Sequence, residues 1–182
     1  MLIAQITNPL ETDFLAIPAI TSDIIHRGKM TNKSNLIFLS GEIRLFERNE
    51  FIGKTWIEKI APTEKFTLAL GTTSKIKVKR KISSQQLEKK GMIAKTHVRS
   101  MEVTIEATNN RTEKTSLVIK DRLPTSKHED IKVKIINLSP TPEKKTKLNI
   151  CTWKLLLDPQ KKQKITQVFE IENPIDLTIL GI

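Results

Sequence analysis

The chain has 182 residues, 38% of them apolar and 28% charged, with one cysteine and a formal net charge of +11. That is enough length and apolar content for one generous domain or two small ones, which excludes global disorder. The lone Cys151 excludes an intrachain disulfide. The opening MLIAQITNPLETD lacks the basic start and apolar stretch of a signal peptide. No run approaches the roughly 18 apolar residues of a membrane span, so a soluble protein, cytoplasmic by default, is expected.

From the N-terminus, residues 2–7 read as a first strand stopped by Asn8-Pro9, and 14–17 as a short one stopped by Pro18. Residues 24–31 are the next strand, followed by the turn Asn32-Lys33-Ser34-Asn35. Residues 36–39 and 42–47 read as extended and broken at Ser40-Gly41, with Ile43 and Leu45 opposing Glu42 and Arg44. After the polar turn Arg48-Asn49-Glu50 the chain returns over 51–60, with Gly53 predicting a bulge or hairpin adjustment. Ala61-Pro62-Thr63-Glu64 turns the chain, and Phe66, Leu68 and Leu70 then share one face of a strand that Gly71 closes.

The second half keeps this style. KIKVKRKI, residues 75–82, puts lysines on one parity and Ile76, Val78 and Arg80 on the other, which only a strand separates onto opposite faces. Residues 83–91 are polar and read as a loop or a single helical turn. Residues 92–107 are extended, with Val103, Ile105 and Ala107 opposing Glu102, Thr104 and Glu106. A turn at Asn109-Asn110-Arg111-Thr112, a strand over 114–121 and a stop at Leu123-Pro124 follow. Ile131, Val133 and Ile135 alternate with Lys132 and Lys134; 139–147 reads as an exposed loop. Trp153, Leu155 and Leu157 line one side of the strand at 148–157, Asp158-Pro159-Gln160 turns, and 165–171 and 177–180 are the last strands.

Short strands with turn signals every ~8–12 residues, and no helix-length apolar stripe, predict an all-β protein, an antiparallel β-sandwich. The charge shifts sharply along the chain: residues 1–74 carry 8 Lys+Arg and 8 Asp+Glu, whereas 75–182 carry 23 and 12, a net of +11. The boundary is therefore set at 74/75. It divides an N-terminal β subdomain, 1–74, from a second half, 75–182, with the length of an immunoglobulin-like sandwich but without the usual disulfide.

Three stretches resemble one family. FIGKTWIEKIAPTEKFTLALGTTSKIKVKRK (51–81), DRLPTSKHEDIKVKI (121–135) and TWKLLLDPQKKQKITQVFEIENP (152–174) are similar, in order, to motifs of the C-terminal domain of unknown function of mucoidy-inhibitor-like proteins. The resemblance spans about residues 14–174. It implies a β-rich, non-enzymatic module, and an upstream β domain and coiled coil in full-length relatives, so the chain looks like the C-terminal portion alone. It carries no catalytic residue over.

The residues themselves offer little chemistry. His26, His97 and His128 are far apart, and none stands at a metal-ligand spacing. No phosphate-cradling Gly loop or nucleophile elbow is present. Cys151, on a Trp-bearing strand, is expected as a packed thiol rather than a nucleophile. Trp56 and Trp153 are expected in or against the core. Asn32-Lys33-Ser34 and Asn110-Arg111-Thr112 match the glycosylation sequon but read most simply as turns. No catalytic residue, cofactor, metal or small-molecule substrate is indicated.

The expected function is a structural or protein-interaction module, with strand addition at an exposed edge as its mode. The alternative is an electrostatic binder of nucleic acid or anionic polysaccharide. Its candidate anion-binding face is Lys75, Lys77, Lys79, Lys81, Lys132 and Lys134, with successive lysines ~6.5–7 Å apart along a strand. Against that alternative, no stacking aromatics interleave the lysines, and lysines also guard strand edges.

Overall fold

The computed structural model describes residues 5–47, 49–90 and 95–175, with the side chains of 85–90 and 95 outside the description. Period-two alternation governs nearly all of it: twelve strands and, among the described residues, no helix. β1 (Glu11–Ala16) and β2 (Ile24–Thr31) form a hairpin. β3 (Gly41–Glu47) and β4 (Glu50–Ile57) form another, and β5 (Lys65–Thr73) pairs with β2. β6 (Ile76–Lys90) and β7 (Lys95–Asn109) pair residue for residue. β8 (Thr115–Arg122), β9 (Lys132–Ser139), the two-residue β10 (Lys144–Lys145), β11 (Ile150–Leu157) and β12 (Lys162–Pro174) follow.

The strands make a six-stranded sheet ordered β10-β11-β8-β1-β2-β5, a four-stranded sheet ordered β6-β7-β12-β9, and the separate pair β3-β4. Pairing is antiparallel except where β1 runs parallel to β8. The two larger sheets pack as a sandwich around one core. One layer of it comes from Phe14, Ala16, Ile24, Leu117, Ile119, Cys151, Trp153, Leu155 and Leu157; the other comes from Ile76, Met101, Val103, Ile105, Ala107, Ile165, Phe169 and Ile171. Each fully buried Leu, Ile or Val contributes about 1.5–3 kcal/mol relative to exposure. On β7 the opposite parity, Glu102, Thr104 and Glu106, is only half-buried. The six-stranded sheet takes β1, β2 and β5 from one side of the 74/75 boundary and β8, β10 and β11 from the other.

Several segments differ from the sequence reading, each for a visible reason. Residues 36–39 form no strand; only Phe38 bridges to Ile60, because the Asn32 amide and Ser34 hydroxyl both bond the Leu36 carbonyl and divert the backbone. Gly71 does not end β5. With φ of +109° it sits in a bulge, where Leu70 and Gly71 lie between the pairs Arg27–Ala69 and Ile25–Thr72, opposite His26 alone. Gly53, φ +150°, lies beside the corresponding irregularity of the β3–β4 pair, between Leu45 and Phe46. Residues 83–90 are strand rather than loop or helical turn, held by pairing to 95–102 although their sequence is polar. The expected loop at 139–147 contains β10. Of the strand expected at 2–7, residues 5–7 are irregular and 2–4 lie outside the described residues, as do 92–94 and 177–180.

Candidate functional site

Arg80 breaks the apolar parity of β6, and the fold explains why. Its Nε donates to Asp121 Oδ2 at 3.0 Å across the two sheets, and Gln167 Nε2 on β12 donates to the same oxygen at 2.8 Å. The Arg122 backbone N–H satisfies the other carboxylate oxygen at 3.0 Å. The Asp121 side chain is fully buried and Arg80 is 19% exposed. A buried carboxylate with both oxygens bonded and a guanidinium partner is an inter-sheet staple. Arg80 of the 51–81 motif and Asp121 of the 121–135 motif are thereby engaged in holding the sandwich together. A charge on an apolar parity was the signal for this in the sequence; which partner it would meet was not legible there.

Asp13 on β1 behaves alike. Arg27 grips it with two bonds of 2.8 Å, and Lys29 adds a third contact. Burial pushes the Asp13 carboxyl up, but these two cations more than offset it and hold its pKa below the ordinary value. His26 stacks on Phe14 at 4.7 Å, with the Arg111 guanidinium 5.2 Å from the same ring. Burial first, and Arg111 second, lower the His26 pKa. Burial raises that of the Cys151 thiol, which is fully enclosed, as expected of a packed cysteine. Asn32 is also fully buried, its amide bonded to the carbonyls of Leu36 and Ala61, so its sequon is a structural turn. Among the described residues no three His, Cys, Asp or Glu gather as metal ligands.

The predicted lysines take their places on the four-stranded sheet. Lys77, Lys79 and Lys81 project from the outer face of the edge strand β6; Lys75 precedes it in the bend. Lys132 and Lys134 share that outer face but stand on β9, the opposite edge. Lys134 pairs with Glu170, which pairs with Ser100 and so lies level with Gln85, not with Lys79. Three strand spacings and at least four residues separate the two groups, close to 20 Å by strand geometry. What the register does bring to Lys77 and Lys79 is Lys162 and Lys164, one strand beyond β7. Between them stands Glu106, 3.7 Å from Lys162, and Lys164 lies 3.9 Å from Glu102. Lys162 and Lys164 are remote from 75–81 in sequence, and only the β7 register aligns them.

The apolar surface is also specific. Trp153 is buried, its Nε1 donating to the Pro140 carbonyl at 2.8 Å. Trp56, expected in or against the core, is instead 64% exposed. It lies on a face of the β3–β4 hairpin with Glu42, which it pairs, and Glu42, Arg44 and Lys54 on that face are exposed as well. At the hairpin end Phe46 and Phe51 meet edge to face at 5.6 Å, and both are exposed, as is Ile52. A cleft of about 400 Å3 opens at the mouth of the sandwich, lined by Arg80, Ile82, Met101, Val103, Leu123 and Phe169 with Arg122 at its rim. Its floor is apolar and holds no nucleophile beside a base.

The family model described as Domain of unknown function (DUF4139) matches residues 8–175. The chain belongs to this family. The matched span takes in all twelve strands, so the DUF4139 unit here is the whole of the described sandwich with its hairpin. Protein F37C4.5 of Caenorhabditis elegans is 26% identical over 131 residues, 72% of this chain and 24% of that protein. The chain thus spans about a quarter of the length of that relative. No solved structure matches.

Proposed function

We propose that this DUF4139 chain is a non-catalytic β-sandwich module that acts by binding another protein, and that it belongs with the mucoidy-inhibitor-like group it resembles. The observation that carries the reading is the β3–β4 hairpin: Phe46, Phe51, Ile52 and Trp56 are all exposed on this one separate two-stranded pair. Apolar groups concentrated this way mark contact surfaces more often than solvated ones. The buried charges argue the same way, since Asp121, Arg80 and Asp13 are engaged in structural pairs. A photo-crosslinker at position 56 in cells tests it. A protein partner captured reproducibly, and displaced by the unlabelled chain, supports it; no adduct above background from any surface position removes it.

A second reading has its own observation, the gathering of Lys77, Lys79, Lys81, Lys162 and Lys164 at one end of the sheet's outer face. Such a patch would bind polyanions with strong salt dependence. Retention on heparin or single-stranded DNA at low salt, lost at moderate salt, supports it; no retention on either excludes it.

A further inference from the structure

Strand β6 is hydrogen-bonded to β7 on one side and, among the described residues, to no strand on the other. Over 81–84 every residue is exposed whichever face its side chain takes, so the backbone edge itself is uncovered there. On the outer face Lys77, Lys79 and Lys81 are exposed, and none is ion-paired among the described residues. On the inner face Ile82 has the parity of the buried Ile76 yet is 50% exposed. It stands at the mouth of the 400 Å3 cleft whose floor includes Met101, Leu123 and Phe169. One stretch of chain therefore joins an unpaired edge, a row of unmatched cations and an apolar recess.

We infer that the β6 edge between Ile76 and Ser84 accepts an added strand from a partner protein, an extended segment that alternates acidic and apolar residues. This rests on the protein-binding reading and names the partner's chemistry. The open N–H and C=O groups of β6 supply a ladder, and alternate side chains of the added strand fall on the two faces of the sheet. On the outer face they oppose Lys77, Lys79 and Lys81, where carboxylates form cross-strand pairs and cations are repelled. On the inner face the residue beside Ile82 drops an apolar side chain into the cleft. The same lysines set cation against cation if a second copy of β6 approaches, so the edge rejects itself while admitting an acidic strand.

The test uses a short labelled peptide alternating glutamate and valine, a lysine–valine control, and two glutamate–valine peptides N-methylated at one or the other set of alternate residues. Fluorescence anisotropy should show saturable binding of the first, weak binding of the second, and loss of binding for the N-methylated peptide whose ladder donors are blocked. Amide exchange over residues 77–84 should slow in the complex. Ile82→Asp should weaken binding about five-fold or more, and K79E/K81E should reverse the preference toward the lysine–valine peptide. These positions are exposed, so the variants keep their fold, checked by circular dichroism. Binding indifferent to N-methylation of either set, or no protection of 77–84, overturns the inference; heparin competing equally well with either variant does the same. A partner captured from position 56 but never from position 82 sinks the edge site and leaves protein binding standing. No adduct above background from any surface position sinks both.

Discussion

Asp121 accepts bonds from Arg80, Gln167 and its own chain neighbour while wholly out of solvent. Removing one member of such a pair leaves the other charge uncompensated. Asp121→Asn should therefore cost about 3 kcal/mol in urea denaturation, and adding Arg80→Met to it should recover part of the loss. Equal additive losses would show that the pair does not act as a unit. His26 and Asp13 give acid sensitivity of definite sign. His26 has a folded pKa below its ordinary 6.5, so the unfolded chain takes up the proton first; its contribution is full above that value and lost as pH falls toward the folded pKa. Asp13, also lowered, contributes above its ordinary 3.8 and loses that contribution as pH falls through the folded value. The urea midpoint should thus decline in two stages on acidification, and His26→Asn should flatten the upper one. A midpoint constant from neutral pH down to about pH 5 would contradict this. The enclosed Cys151, its pKa raised, should resist a thiol reagent in the native protein and react once unfolded. At this scale the types were readable and the partners were not: Arg80 sat visibly on an apolar parity, but Asp121 lies 41 residues away.

Two tryptophans with similar local sequence have opposite fates because their elements do. β11 lies inside the six-stranded sheet and faces the other layer, so Trp153 is buried; among the described residues no second layer covers Trp56 on the β3–β4 pair. Trp153→Ala should cost about 3–5 kcal/mol, whereas Trp56→Ala should change stability by about 0.5 kcal/mol or less. Denaturation curves check both, and the emission of Trp56→Phe, reporting Trp153 alone, should be blue-shifted relative to the parent. Strand positions were largely legible: 24–31 matches β2 residue for residue, and the parity at Val103, Ile105 and Ala107 is the buried one. Misreadings arose where local chemistry and tertiary pairing disagree. Residues 36–39 look like strand but surrender a carbonyl to the Asn32 side chain, and polar 83–90 looks like loop but is held extended by β7.

At the level of the whole molecule, the parallel pairing of β1 with β8 ties the two halves of the chain into one sheet. Expressing residues 75–182 alone tests the division at 74/75. Without β1 and β2 the Phe14, Ala16 and Ile24 part of the core is missing, so the expected product is aggregated or loosely packed, and co-expression with 1–74 should restore a cooperative transition. A folded, monomeric 75–182 fragment would establish the second half as independent. The amino-acid order by itself determined most strand positions, their facing parity and the all-β class, because alternation is a local property that neighbouring residues encode. Only the tertiary structure decided which strands lie side by side. Pairing is non-local, so register alone set Lys162 near Lys77 and sent Lys132 and Lys134 to the far edge, sheet packing joined Arg80 to Asp121, and among the described residues β6 was left with an open side.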